Sequence, residues 1–208
     1  MEIGYFKVMV DMDNIIKEME KYAEENNVPI MTKDGIEFLL KYIKENNIVR
    51  ILEVGTAIGY SAIRMCTVRD DIVVTTIERD EVRYNEAVKN VSKAGFEKRI
   101  NLIFGDALEV ELDGEFDLIF IDAAKAQNQK FFEMFKRNLK STGTIITDNM
   151  KFHGLVDTPI EQIESRNLRQ LVRKVRRYTD FLKENTEFNT EFLELGDGIA
   201  ISKYNTKE

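Results

Sequence analysis

Hydrophobic positions recur along the chain with two periods, and each period predicts a different kind of element. Over 13–27, Ile15, Ile16, Met19, Tyr22 and Ala23 fall at helical spacing with acids and lysines opposite, the pattern of an amphipathic helix. Asn26-Asn27-Val28-Pro29 ends it, and Ile36, Leu39, Leu40 and Ile43 mark a second helix over 33–46, after the short loop Pro29-Ile30-Met31-Thr32. From there the pattern turns to short apolar runs at 50–54, 72–77, 100–104, 116–121 and 144–147, separated by helical segments at 61–65, 81–94 and 129–139. Gly95 and Gly143 are candidate stops for these helices. Strand and helix in alternation predict an α/β fold, a parallel sheet with helices on both faces. Near the end, 191–195 and 199–204 flank Gly196-Asp197-Gly198, the turn chemistry of a β-hairpin. No repeat, low-complexity tract or linker divides the chain. It is therefore expected to be one domain over 1–208, with a helical extension (1–47) ahead of an α/β core (48–208).

Composition narrows the function classes. With 208 residues and 43% hydrophobic content the chain can bury one substantial core. No apolar run approaches the roughly 20 residues of a membrane span, and Met1-Glu2-Ile3-Gly4-Tyr5 lacks the build of a signal peptide, so the expectation is a cytoplasmic protein with no membrane partner. The single cysteine, Cys66, excludes an internal disulfide and falls on the apolar side of its helix, where it reads as a buried thiol. A net charge of −7 argues against nonspecific coating of nucleic acid but leaves room for a local basic patch. His153 is the only histidine and has no nucleophile marked beside it, so Ser-His-Asp and Cys-His hydrolase schemes start behind.

Candidate chemistry begins at 51–61, where an apolar run ends in an acid and two glycines before a helix. Such a turn lets backbone approach a ligand closely and aims helix N–H groups at it. The spacing Glu53-x-Gly55-x-x-x-Gly59, with Ala57 between the glycines, departs from the dinucleotide fingerprint. Glu53 would repel a diphosphate but favour an amino group or a sulfonium, and S-adenosylmethionine carries both without a phosphate. An ordinary strand-to-helix turn remains the plain alternative.

The other strand candidates end in acids as well: Glu78, Asp106, Asp122 and the pair Asp148-Asn149. Each alone could cap a helix, but in open α/β sheets ligands gather beyond the carboxyl ends of the strands, and five such ends together favour a site. Glu78 sits where an acid accepts hydrogen bonds from ribose hydroxyls, and Asp106-Ala107 could lie at an adenine edge. Asp122, Asp148 and Asn149 offer hard oxygens suited to Mg²⁺ or another hard divalent cation. Lys125 would share the face of Asp122 and could act as a general base, or it could be a solvated lysine.

In these motifs the chain resembles the cation-dependent O-methyltransferases of the catechol and caffeoyl-CoA class, from Pro29 to the C-terminus. Glu53-Val54-Gly55-x-x-x-Gly59-Tyr60-Ser61-Ala62-Ile63-Arg64-Met65 looks like the family's cofactor loop and helix. Ile121-Asp122-Ala123-Ala124-Lys125 and Asp148-Asn149 look like its metal and base motifs. The resemblance implies a Rossmann-like class I methyltransferase fold, with a mostly parallel seven-stranded sheet, a C-terminal β-hairpin and N-terminal helices. It implies that Met31, Glu53, Gly55, Ser61, Glu78, Asp106, Ala107 and Asp122 hold S-adenosylmethionine. It further implies that Asp122, Asp148 and Asn149 chelate the ion, that Asp122 and Lys125 serve catalysis, and that the protein forms a homodimer.

Within that family the bacterial tRNA 5-hydroxyuridine methyltransferases are more similar still. They share the short N-terminus, the Asp-Ala-Ala-Lys segment, an arginine-rich helix and the closing Gly196-Asp197-Gly198-Ile199-Ala200-Ile201-Ser202. The resemblance implies methylation of the wobble uridine's 5-oxygen to 5-methoxyuridine, with the tRNA anticodon region as partner. Between 166 and 177 stand five arginines and one lysine with no acid, and helical spacing sets Arg166, Arg169, Arg173, Arg176 and Arg177 opposite Leu168, Leu171, Val172 and Val175. That face is a candidate for phosphate contact, positioning RNA without reading its sequence. The alternatives are a small catechol-like or acyl-CoA phenol as acceptor, a nicotinamide oxidoreductase, which the glycine spacing disfavours, and a noncatalytic nucleotide-binding or interaction protein on the same scaffold.

Overall fold

The structure, a computed structural model, describes residues 2–123 and 125–205, with side chains from residue 12 onward. Two helices, α1 (Glu2–Glu25) and α2 (Lys33–Glu45), precede the sheet. Thr32 starts α2 by accepting a hydrogen bond from Gly35 N at 3.3 Å. Then follow β1 (Arg50–Val54), α3 (Tyr60–Cys66), β2 (Val73–Glu78), α4 (Glu81–Ala94), β3 (Ile100–Phe104) and β4 (Phe116–Ile121). The chain closes with α5 (Asn128–Phe135), β5 (Leu139–Thr147), α6 (Arg166–Glu184), β6 (Phe188–Leu193) and β7 (Ile199–Tyr204). Asp80 caps α4 through Arg83 N at 3.0 Å, and Gly95, the stop that the sequence predicted, ends it in the left-handed conformation.

The seven strands lie in the order β3-β2-β1-β4-β5-β7-β6. Pairing is parallel from β3 to β5, and β7 runs antiparallel between β5 and β6. Strand order reverses between β1 and β4, which opens a crevice beyond their carboxyl ends. Both central strands are buried on both faces, so they read as unbroken apolar runs. Ile51, Leu118 and Phe120 pack towards α1, α2 and α3, whereas Leu52, Ile119 and Ile121 pack towards α5 and α6. On the second face Phe132 meets Tyr178, Phe181 and Phe188 edge-on, with ring centroids 5.0 to 6.4 Å apart. Among the described residues no helix is long and apolar enough to cross a membrane.

Four elements differ from the sequence reading by more than two residues at one end. Helix α1 spans 2–25 rather than 13–27. Helix α5 stops at Phe135, and β5 starts at Leu139, so Gly143 lies inside a nine-residue strand instead of ending a helix. The polar run Lys140-Ser141-Thr142-Gly143 has no strand period because it bulges: Phe116 pairs with Leu139, but Leu118 already pairs with Thr144. Asp117 opposite holds Lys140 Nζ at 2.6 Å and accepts from Val49 N and Arg50 N at 3.0 and 2.7 Å, anchoring the bulge to β1. A Cβ on Gly143 would fall 2.7 Å from Leu139 Cδ1, which explains the glycine. The hairpin is also longer on its first side, with β6 spanning 188–193.

Candidate active site

The ends of β1, β2, β4 and β5, with the loop between α1 and α2, enclose a cavity of about 320 Å³. Its first wall is the turn after β1. Gly55 takes φ +104°, and a Cβ there would stand 2.1 Å from the Asp122 carbonyl oxygen, because the ends of β1 and β4 come into backbone contact. Glu78, 8% exposed, accepts from Ala57 N through Oε2 at 2.8 Å and from Arg79 N and Asp80 N through Oε1. The acid at the end of β2 thereby fixes the glycine turn and still faces the cavity.

Glu53 departs from expectation. Its carboxylate is fully buried behind the wall and does not line the cavity. Ser61 Oγ donates to Oε1, and Thr76 Oγ1 lies 2.5 Å from Oε2 and 2.6 Å from Thr56 Oγ1. Burial pushes the Glu53 carboxyl up to about 8, against the two hydroxyl donors, with Asp122 and Glu78 adding repulsion. Its hydrogen-bonded link to the cavity is Ser61, which does line it.

Met31, Ser61, Ala107 and Asp106 stand where the sequence put them, on the cavity wall. Asp106 accepts from Leu108 N at 2.9 Å and lies 3.8 Å from the Arg79 guanidinium. Arg79 and Arg83 also line this end, and Tyr60 does so with its hydroxyl donating to Glu20 Oε1 of α1 at 2.7 Å. These residues were not singled out from sequence, since each signal depends on an element that is distant in the chain.

At the opposite end Asp122, Lys125, Asp148 and Asn149 converge as expected. The main chain sets them there: Asp122 N donates to Val54 O at 3.0 Å and Asp148 N to Ile121 O at 3.1 Å, extending the parallel ladder by one residue. Asn149 turns back with φ +62°, its N–H on Asp148 Oδ1 at 2.7 Å. Lys125 Nζ donates to Asn149 Oδ1 at 2.7 Å and lies 5.4 Å from the centroid of the Phe152 ring. Burial raises the Asp122 and Asp148 carboxyls, and repulsion between neighbouring acids adds to it.

Asp197, from the β6–β7 turn, is a third acid at this end, 6% exposed and without a hydrogen bond at Oδ2. The sequence marked it only as hairpin chemistry. Among the described residues no group of three or more His, Cys, Asp or Glu forms a metal cluster. The set of two carboxylates and one amide nonetheless fits a hard divalent cation, being all oxygen, and buried acids that repel one another are relieved by positive charge.

Helix α6 packs beside Lys125–Gln127, and its arginines divide. Arg176 donates to Val156 O at 2.9 and 2.7 Å and to Thr158 O at 2.6 Å, while Arg169 donates to Ile163 O at 2.6 Å and Glu164 O at 3.0 Å. These two are spent on the loop after β5, which corrects their expected place in a free cationic face. Arg166, Arg173, Lys174 and Arg177 are exposed, and among the described residues they make no ion pair or side-chain hydrogen bond. Leu168, expected on the core side, is 38% exposed.

Residues 7–204 match the profile of a family described as O-methyltransferase. A caffeoyl-CoA O-methyltransferase of Populus kitakamiensis is 27% identical over 192 residues, covering 88% of this chain and 81% of that one. A catechol O-methyltransferase of Niastella koreensis is 29% identical over 164 residues, covering 73% and 72%. A Staphylococcus aureus crystal structure, provisionally described as a caffeoyl-CoA O-methyltransferase, superposes with a TM-score of 0.87 at 43% identity, covering 91% of this chain and 92% of that one.

Proposed function

The chain belongs to the O-methyltransferase family, and on that premise we propose that it methylates the 5-hydroxyl of 5-hydroxyuridine at the tRNA wobble position, giving 5-methoxyuridine. The methyl donor is S-adenosylmethionine, whose amino group and hydroxyls suit the carboxylates of Glu78, Asp106 and Asp122 on the cavity wall. A hard divalent ion such as Mg²⁺, held by Asp122, Asp148 and Asn149, would supply chelation of two adjacent acceptor oxygens and acidify the hydroxyl. In 5-hydroxyuridine these are the 5-hydroxyl and the 4-carbonyl, arranged much as in a catechol.

The chain's own residues do the rest. Glu78 accepts from the ribose, Asp106 lies at the adenine edge, and Met31 covers the methionine portion. Lys125 Nζ, on Asn149 Oδ1 at 2.7 Å, would stand beside the ion's ligands and, as the neutral amine left once its own extra proton has gone to solvent, would take the hydroxyl proton. The cavity wall brings these groups together and orients the acceptor oxygen towards the methyl group.

The observation that carries the RNA acceptor is the set Arg166, Arg173, Lys174 and Arg177, exposed and without ion pairs or side-chain hydrogen bonds among the described residues, in a chain of net charge −7. A second reading, a small catechol-like or acyl-CoA phenol, is favoured by the substrates named for the Populus and Niastella relatives. Mass spectrometry of tRNA nucleosides from a strain lacking the gene separates the two. Loss of 5-methoxyuridine with accumulation of 5-hydroxyuridine supports the RNA acceptor, and an unchanged nucleoside profile rejects it.

A further inference from the structure

The segment from Met150 to Ser165 joins the metal-binding end of the cavity to the start of α6, and it carries His153 into the cavity wall and Phe152 against Lys125. Its base is stitched to the β6–β7 turn. Met150 N donates to Gly198 O at 2.9 Å, Lys151 N to Asp197 O at 2.7 Å, and His153 N to Asp197 Oδ1. The backbone at Asn149, Phe152, His153 and Gly154 lies at positive φ, so the conformation persists only where surrounding contacts over-determine it.

The far half of the segment is held by side chains of α6. Arg176 spans two carbonyls of the loop through Nε and Nη2, and Arg169 reaches two more through Nη1 alone, satisfying oxygens that have no other donor among the described hydrogen bonds. One turn away, Arg173 and Arg177 point to solvent. The same arginine-rich stretch therefore has two environments, one facing its own loop and one facing outward.

We infer that α6 divides its cations between two tasks: Arg169 and Arg176 are positioning residues that hold the acceptor-side loop over the site, while Arg166, Arg173, Lys174 and Arg177 form the surface that meets a polyanionic backbone. The second half rests on the RNA reading above, whereas the first holds for any acceptor that the loop covers. The Arg176 clamp needs the geometry of the guanidinium, because Nε and Nη2 meet Val156 O side by side while Nη2 also reaches Thr158 O, whereas a lysine offers one nitrogen on a flexible stem. Phosphate contact needs mainly charge.

Lysine substitution separates these requirements. Arg176→Lys, with Arg169→Ala as the second variant should the first fold poorly, is compared with Arg173→Ala/Arg177→Ala. Each is assayed on a stem-loop RNA bearing 5-hydroxyuridine, on the free 5-hydroxyuridine nucleoside and on catechol, across a range of salt. In Arg176→Lys, KM for the small acceptor that wild type turns over rises ~10-fold, kcat changes less, and the salt dependence of stem-loop binding is unaltered. In the double variant the slope of log affinity against log salt falls by about 0.7 for each charge removed. The clamp is overturned if Arg176→Lys matches wild type on the small acceptor. The outward surface is overturned if the double variant keeps the wild-type salt slope. Failure of wild type to methylate 5-hydroxyuridine in either form rejects the RNA reading, while catechol then still reports on the clamp.

Discussion

Glu53→Gln tests the reading that the acid at the end of β1 is held neutral behind the cavity. Burial lifts its carboxyl from 4.5 to about 8, a gap worth ~5 kcal/mol between folded and unfolded states. Below pH 4.5 both states hold the proton, and the group contributes no pH dependence. Between 4.5 and about 8 the unfolded chain has released a proton that the folded chain keeps, so stability falls as pH rises, by ~1.4 kcal/mol per pH unit where the effect is complete. Above about 8 the loss levels off. Glutamine retains the shape and an oxygen for Ser61 or Thr76 but cannot ionise, so the variant lacks this loss. The raised Asp122 and Asp148 carboxyls titrate in both proteins and largely cancel in the difference. Urea unfolding of both proteins without cofactor, near pH 5 and near pH 8, measures it. The expected result is a variant that gains several kcal/mol on wild type between the two conditions. Parallel stability profiles would refute the reasoning, and would mean that the Ser61 and Thr76 hydroxyls keep Glu53 ionised despite its burial.

Three further outcomes are expected. Gly55→Ala places a Cβ 2.1 Å from the Asp122 carbonyl at φ +104°, so calorimetry with S-adenosylmethionine should show binding lost, with stability lowered by at least ~2 kcal/mol. Asp148→Ala, or treatment of wild type with a chelator, should abolish methyl transfer while calorimetric affinity for S-adenosylmethionine stays within about threefold; full transfer by the variant in chelator would refute the metal's role. Phe132→Ala removes a fully buried ring that contacts Tyr178, Phe181 and Phe188, and denaturant unfolding should show a loss of ~3–5 kcal/mol.

By itself, the sequence determined the features that repeat locally. The apolar runs of β1, β3 and β4 and the helical period of α4 are records of which faces are buried, and their limits agree with the structure. The acids at the strand ends were legible for a related reason: a parallel sheet delivers the ends of its strands to one edge, so Glu78, Asp122, Asp148 and Asn149 had to meet once the order of elements was known. Tertiary structure decided what depended on partners far away in the chain. The bulged start of β5 exists because Asp117 grips Lys140 across the sheet. Glu53 is turned from the cavity because Ser61 and Thr76 close around it, and Asp197 reaches the site only because β7 folds back beside β5. Likewise, periodicity placed five arginines on one helical face, but the carbonyls of Val156, Thr158, Ile163 and Glu164 decide which two are occupied. A period along the chain reports that a side chain faces inward or outward, whereas its hydrogen-bond partner is set by the path of a loop for which no period exists.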